Sequence, residues 1–159
     1  MKSVCVIGSG ISGSTIANLL SKKYKVDVYE KAKGIGGRSS HRRYLNKLGF
    51  DHGLQYISPK TSKFKKFCSG LQKKRVLKKW QGPHKFDHSK VLENKKHTKL
   101  IGAKGNNAIS KYLLKNINCI FGYELFKIER IRKNWKLSFL NGDVKYYEIL
   151  IISIPCLLY

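Results

Sequence analysis

A glycine-rich segment near the start of the chain has the residue types and spacing of a phosphate-binding turn. Gly8, Gly10 and Gly13 follow the pattern G-x-G-x-x-G. In this pattern the first glycine allows a tight turn, the second lets a pyrophosphate approach the backbone, and the third lets a helix pack closely on a strand. Glu30 lies 17 residues after Gly13. A carboxylate there can accept hydrogen bonds from ribose hydroxyls and repels the 2′-phosphate of NADP, so these residues predict a dinucleotide-binding site.

A second glycine cluster follows the acid, with the sequence Gly34-Ile35-Gly36-Gly37-Arg38-Ser39. The adjacent small residues Gly36 and Gly37 permit the close approach of a ligand. The planar guanidinium of Arg38 suits phosphate oxygens. Because an ordinary NAD dehydrogenase has no need of this second cluster, its presence favours another dinucleotide.

A β-α-β unit must position these residues. The apolar run Ser3–Ile7 is typical of a strand buried on both faces of a parallel sheet. Helical spacing begins at Ile11, with an apolar face that we expect to contain Ile16, Leu19 and Leu20. Lys25–Glu30 predicts the second strand, with Val26 and Val28 pointing inward. The connection between the two strands should be right-handed.

Two further helices are predicted. Thr61–Leu71 begins with a residue that can cap it and carries an apolar stripe at Phe64, Phe67 and Leu71. Gly105–Leu114 is the second, with a stripe formed by Ala108, Ile109, Tyr112 and Leu113. Between them, short strands and loops are expected around Val76, Trp80 and Val91, interrupted at Gly82-Pro83.

The C-terminal third alternates apolar and polar residues in the manner of β-strands. The expected strands are Cys119–Phe121, Leu125–Ile131, Trp135–Leu140 and Val144–Tyr147, with a shorter extended segment earlier, near Phe50–Ile57. Asn141-Gly142 is a strong hairpin signal. Ile149–Ile154 is typical of a doubly buried strand, and it stops at Pro155. A parallel strand needs a further neighbour and a covering helix, so we expect a truncated chain.

Several of these segments, in this order, resemble flavoprotein amine oxidases, and the renalase-like branch in particular. The resemblance lies in the second glycine cluster and in the segments Phe50–Tyr56, Ile101–Ile109, Glu124–Ile128 with Trp135, and Ile149–Pro155. It covers only the N-terminal half of such enzymes. In this family the bound dinucleotide is FAD, which accepts a hydride from the substrate.

The resemblance also implies roles for individual residues. Ser12 would lie at the phosphates of the cofactor, Glu30 at the adenosine ribose and Arg38 near the pyrophosphate. Leu54 and Gln55 would lie beside the flavin, and the backbone of Leu125 would meet the adenine. Asp51 and His52 would belong to the architecture of the cofactor site and transfer no proton. No catalytic side chain can be named from the sequence.

The expected fold class is therefore α/β, a Rossmann-like FAD/NAD(P)-binding domain with a parallel sheet and an antiparallel β-meander. Residues 1–57 form the β-α-β core, residues 58–100 a basic, substrate-domain-like insertion, and residues 101–159 the helix, meander and returning strand. The expected function is that of an FAD-dependent oxidoreductase acting on an amine or a reduced nicotinamide-type compound. Three alternatives stay open: a non-catalytic flavin-binding subunit, a relic, and a basic module associated with nucleic acid. A second polypeptide that completes the site is a further expectation.

Charge and cysteine content narrow the possible classes of function further. The net charge is +24, but 27 of the 33 cations are Lys and only 6 are Arg. A reader of nucleic acid is expected to use Arg for bidentate contacts, so we interpret the charge as a solvated basic face. The four cysteines form no Cys-x-x-Cys pair, and His84, His88 and His97 lack a metal-ligand spacing. With no signal peptide or membrane-length apolar run, a cytoplasmic protein without metal is expected.

Overall fold

The computed structural model describes residues 1–45, 48–81 and 98–155 of the chain. Gly82, Pro83, Val91, the three histidines His84, His88 and His97, and Cys156 lie outside the described residues, so the expectations that involve them are untested.

The centre of the fold is a four-stranded parallel sheet. The β-α-β unit consists of β1 (Ser3–Ile7), α1 (Ile11–Leu20) and β2 (Lys25–Glu30), as predicted. The outer strands are β7 (Asn118–Phe121) and β11 (Ile149–Ile152), and the order is β11-β1-β2-β7. All three pairings are parallel. The carboxyl ends of β1 and β2 therefore lie side by side, which is where ligands bind in sheets of this kind.

Alternate residues of β1 and β2 pack into two different cores, one on each face of the sheet. On one face Val4, Val6, Val26 and Val28 pack against Ala17 of α1. On the other, Cys5, Ile7 and Tyr29 pack against Leu137, Phe139 and Tyr147. These last three belong to an antiparallel meander formed by β8 (Leu125–Ile131), β9 (Asn134–Phe139) and β10 (Val144–Tyr147). The predicted hairpin at Asn141-Gly142 is confirmed by the β9-β10 pairing.

A third core lies beside this sandwich. It joins α2 (Ser62–Lys73) and α3 (Ala108–Leu113) to the short paired strands β5 (Leu77–Lys79) and β6 (Leu100–Gly102). The predicted cap of α2 is confirmed, because the Thr61 hydroxyl accepts a hydrogen bond from the Phe64 amide. The hairpin of β3 (His41–Tyr44) and β4 (Leu48–Asp51) follows the second glycine cluster.

Two predicted helix faces are correct only in part: Ile16 and Leu20 of α1 and Leu71 of α2 pack into cores as predicted, and the other members of each stripe do not. Leu19 of α1 is 56% exposed, because the buried line runs through Gly13 and Ala17, and Leu19 lies about 200° around the helix from Ala17. In α2 the buried residues are Cys68 and Leu71, whereas Phe64 and Phe67 are exposed and stack on each other. Small residues, Ala17 in α1 and Cys68 in α2, therefore face the core together with the larger side chains that were predicted correctly.

The start of α3 and the burial of β11 also differ from the prediction. Helix α3 begins at Ala108 rather than Gly105, because Gly105 has a φ of +95° that a helix cannot contain. Strand β11 is half-buried rather than doubly buried, since β1 is its pairing partner among the described residues and Ile152 is 52% exposed. Of the helices in the described part of the chain, none has the length and apolar character needed to cross a membrane.

Candidate dinucleotide-binding site

The first glycine turn connects the end of β1 to the start of α1. Gly8 has a φ of +100°, and a Cβ atom there would lie 2.8 Å from the Ser153 carbonyl oxygen. A Cβ atom on Gly13 would collide with the Gly8 carbonyl oxygen. Both positions therefore need glycine for the fold itself, Gly8 for the turn and Gly13 for the close packing of α1 on β1.

Gly10 is different, because no contact among the described residues requires a glycine there. Its φ of −65° and ψ of 178° are ordinary for any residue. A Cβ atom on Gly10 would have Gly37 Cα, 4.0 Å away, as its neighbour. Gly10 is also the N-cap residue of α1, whose N-terminus has no side-chain cap and no acidic residue in its first turn. The open space at Gly10 therefore adjoins free backbone N–H donors, which is the arrangement that binds phosphate.

The two glycine clusters form one continuous surface. The Gly36 amide donates to the Ser9 carbonyl oxygen over 3.2 Å, and Gly10 and Gly36 form a parallel bridge. A Cβ atom on Gly37 would lie 3.1 Å from Gly10 Cα. The requirement for glycine at position 37 therefore follows from its contact with the first turn, whereas a Cβ atom on Gly36 would meet Asn107 and Ser40.

The Glu30 carboxylate lies beside this turn and is held there by three donors. Its Oε2 accepts from the Ser9 amide at 2.8 Å and from the Ser9 hydroxyl at 2.7 Å, and its Oε1 accepts from the Ala32 amide at 3.0 Å. Glu30 is only 8% exposed, and these bonds offset the cost of burying its charge. A carboxylate has about four acceptor sites, so Glu30 retains capacity for a ribose hydroxyl. No pattern in the sequence indicated that Ser9 holds this acid.

Ser12 and Arg38 both present exposed side chains at the site. Ser12 lies in the first turn of α1, and since Gly10 is the N-cap residue, Ser12 does not cap its helix. Within residues 1–45, 48–81 and 98–155, the Arg38 guanidinium has no ion pair. It is therefore available to an anionic ligand beside the glycine clusters.

The segment containing Leu54 and Gln55 is attached directly to the second glycine cluster. The Leu54 amide donates to the Arg38 carbonyl oxygen over 2.9 Å. Gly53 makes this approach possible, because a Cβ atom there would collide with the same oxygen. Leu54 is half-buried and Gln55 is exposed. The structure thus brings these two residues next to Arg38.

Leu125 lies near the other end of the site, beyond Glu30. The Tyr123 amide donates to the Glu30 carbonyl oxygen over 3.1 Å, and Lys31 forms an ion pair with Glu124 at 3.8 Å. Leu125 follows directly as the first residue of β8. It is consequently anchored to the end of β2, where the adenosine half of a dinucleotide is expected.

Asp51 and His52 have structural partners. The Asp51 carboxylate accepts from the Asn106 amide over 2.8 Å and pairs with His41 Nδ1 at 3.0 Å. His52 Nε2 lies 3.0 Å from the Ser40 hydroxyl oxygen. Both side chains therefore connect loops around the site, in keeping with the architectural role expected for them. In the described ranges the structure brings together no group of His, Cys, Asp and Glu that could hold a metal ion.

Comparison with known proteins supports the fold. Residues 6–71 match the model of the NAD(P)-binding Rossmann-like domain family. Among solved structures, the chain is similar to the tetracycline destructase Tet(51), with a TM-score of 0.62 and 15% sequence identity. The similarity covers 96% of this chain and 38% of that chain. The chain thus has a Rossmann-like α/β fold, with a parallel sheet that carries the fingerprint turn and separate antiparallel sheets.

Proposed function

We propose that this chain binds FAD and forms the nucleotide-binding part of an FAD-dependent oxidoreductase. The observation that carries the proposal is the open space at Gly10. A Cβ atom would fit there without a clash, so no contact among the described residues explains the absence of a side chain. A pyrophosphate that contacts the backbone at the start of α1 gives the missing reason.

The residues around this space fit FAD. The two glycine clusters leave a surface without side chains for a diphosphate, and the free guanidinium of Arg38 adds a bidentate donor for its oxygens. Glu30, fixed by Ser9, lies where a ribose hydroxyl can donate to it. The Leu54–Gln55 segment extends the site away from the first turn, in the direction expected for the flavin. FAD, when bound, supplies the ring that accepts a hydride; the chain supplies orientation and charge.

The second glycine cluster favours FAD over a nicotinamide dinucleotide alone. A bound NAD needs the first turn and the acid, and neither requires the contact between Gly10 and Gly37. The likeness of the surrounding segments to renalase-like amine oxidases supports the same choice. We extend the proposal to the substrate: an amine or a reduced nicotinamide-type compound, oxidised by hydride transfer. The chain spans 38% of the length of Tet(51). We include in the proposal, as a separate part, a second polypeptide that completes the substrate side.

Titration of the purified chain with FAD tests the proposal. The fluorescence of free flavin should fall as FAD binds, and the dialysed complex should keep the visible absorption of oxidised flavin. NAD and NADP, added as competitors, should displace FAD poorly. A colourless protein that leaves FAD fluorescence unchanged, and whose affinity for DNA falls steeply with salt, would refute the proposal in favour of the nucleic-acid alternative.

Anaerobic addition of NADH to the flavin-loaded chain separates an enzyme from a non-catalytic binder. Bleaching of the oxidised flavin spectrum is expected if the chain holds enough of the substrate site. If neither NADH nor any of a panel of primary and secondary amines bleaches the bound flavin, the oxidoreductase part of the proposal is contradicted for the isolated chain. Flavin binding would still stand.

A further inference from the structure

We infer that Asn106 and Asn107, directly before α3, are positioning residues of the FAD site, and that they hold the second glycine cluster and the Leu54–Gln55 segment in register. The inference rests on the proposed function, because it concerns the two segments between which the cofactor would lie. The resemblance pointed to the segment Ile101–Ile109 without giving either asparagine a role.

Asn106 attaches the Leu54–Gln55 segment to the base of α3. The residue is 1% exposed. Its Nδ2 donates to the Leu54 carbonyl oxygen at 2.6 Å and to the Gln55 carbonyl oxygen at 3.3 Å. Its Oδ1 accepts from the Gly102 amide at 2.8 Å, and its own amide donates to Asp51 Oδ1. A single side chain thus uses both donors and its acceptor to fix the segment expected beside the flavin.

Asn107 contacts the second glycine cluster at Ile35 and Gly36. Its Nδ2 donates to the Ile35 carbonyl oxygen over 3.3 Å. Gly36 lies so close that a Cβ atom on it would be 2.9 Å from Asn107 Cβ. The cluster is consequently held by contacts with both the first glycine turn and Asn107.

The buried side chain of Asn107 lowers the stability of the fold, so stabilisation alone does not explain why an asparagine lies there. Asn107 is 5% exposed, and its Oδ1 has no hydrogen-bond partner among the described residues. A buried unpaired carbonyl oxygen lowers stability. An apolar residue of similar size would avoid that cost and lose only the bond to Ile35. We therefore assign the Asn107 side chain to holding the loop that contains Gly36.

The variant Asn107→Leu tests this assignment because it separates stability from positioning. It removes the unpaired oxygen together with the bond to Ile35, so the melting temperature should stay the same or rise. FAD affinity should nevertheless fall about tenfold, and the visible spectrum of the bound flavin should shift. Asn106→Asp, which keeps the acceptor for Gly102 and loses both donors, should weaken FAD binding at least as much.

A matched control is available where α1 contacts α3. Asn18 of α1 donates through Nδ2 to the Leu113 carbonyl oxygen over 2.7 Å, a bond of the same kind at the far end of α3. Asn18→Leu and Asn18→Asp should change FAD affinity less than about twofold. An equal loss of affinity in the Asn18 and Asn107 variants would overturn the inference.

Hydrogen exchange of the chain without cofactor tests the positioning role separately from the proposed function. The Gly36 amide, bonded to Ser9, and the Leu54 amide, bonded to Arg38, should lose protection in Asn107→Leu and Asn106→Asp and keep it in Asn18→Leu. Unchanged protection at both amides would overturn the positioning role. If the unaltered chain binds no FAD, the proposed function fails, and the exchange rates still decide whether the asparagines position the loops.

Discussion

Gly10→Ala should abolish dinucleotide binding without unfolding the protein. The backbone at Gly10 is already in a conformation that alanine adopts, and the new methyl group would lie 4.0 Å from Gly37 Cα. At an N-cap position alanine is less favourable than glycine by roughly 0.5–1 kcal/mol. Alanine also restricts the unfolded chain more than glycine does, which stabilises the folded protein by about 0.4–1 kcal/mol and offsets this loss. The free energy of unfolding should therefore change by less than about 0.5 kcal/mol.

The effect on binding is much larger because the methyl group occupies the space of the ligand. A phosphate oxygen that accepts from a backbone amide approaches to about 2.9 Å, whereas contact with a carbon atom keeps it about 3.5 Å away. Loss of two charge-assisted hydrogen bonds, each contributing about 1.5–3 kcal/mol, corresponds to a weakening of about 100-fold or more.

Thermal unfolding and flavin fluorescence titration of three variants provide the assay. Gly70→Ala in α2 is the control, because among the described residues no atom lies within 4 Å of a Cβ placed there, and it should bind FAD like the unaltered chain. Gly13→Ala should instead destabilise the fold by about 1–3 kcal/mol or more, since its Cβ atom collides with the Gly8 carbonyl oxygen. Unaltered FAD affinity in Gly10→Ala, or loss of its fold, would refute the assignment of this space to a ligand.

Three further results are expected. Tyr147→Phe removes the hydroxyl that donates to the Asp27 carboxylate over 2.8 Å, and urea unfolding should show a loss of about 1–3 kcal/mol; an unchanged midpoint would contradict this. Burial raises the pKa of the Cys119 thiol to about 11, so the thiol stays protonated at neutral pH and should react with iodoacetamide more slowly than free cysteine, with a rate that increases towards pH 11. Peptide mass spectrometry that found equal rates at pH 8 would count against this burial. Arg38→Ala, at an exposed position, should leave stability unchanged and weaken FAD binding about tenfold, while Glu30→Ala should lower both; retention of FAD by both variants would show that the residue assignments are wrong.

The β-α-β core could be predicted because its signals are local. Ser3–Ile7 and Lys25–Glu30 carry the apolar pattern of buried strands, and the glycine spacing lies between strand and helix. The exposed Leu19 could not be foreseen, because periodicity shows that a helix has an apolar face but not which small residues allow it to approach the sheet. The same holds for Phe67, which is exposed, whereas its neighbour Cys68 is buried in the core that α2 contacts.

The parts of the site that the sequence did not reveal depend on contacts between distant residues. Ser9 binds a carboxylate 21 positions away, and Asn107 bonds to a carbonyl 72 positions away. Neither residue type is unusual in a turn, and no local pattern connects a polar residue to its distant partner. The Ser9 contact follows from the sheet order, which places the ends of β1 and β2 side by side, whereas the Asn107 contact depends on how the segment before α3 packs against the second glycine cluster.

Backbone amide chemical shifts during titration with FAD test the central claim most directly. The account predicts that the amides of the first turn of α1, including Ser12, and those of Gly10, Gly36 and Gly37 shift together with one saturating curve. The chemical shifts of amides of the exposed basic residues in α2, such as Lys63, should not change. Shifts confined to basic surface residues, or no shifts at saturating FAD, would contradict the claim that the two glycine clusters form a dinucleotide site.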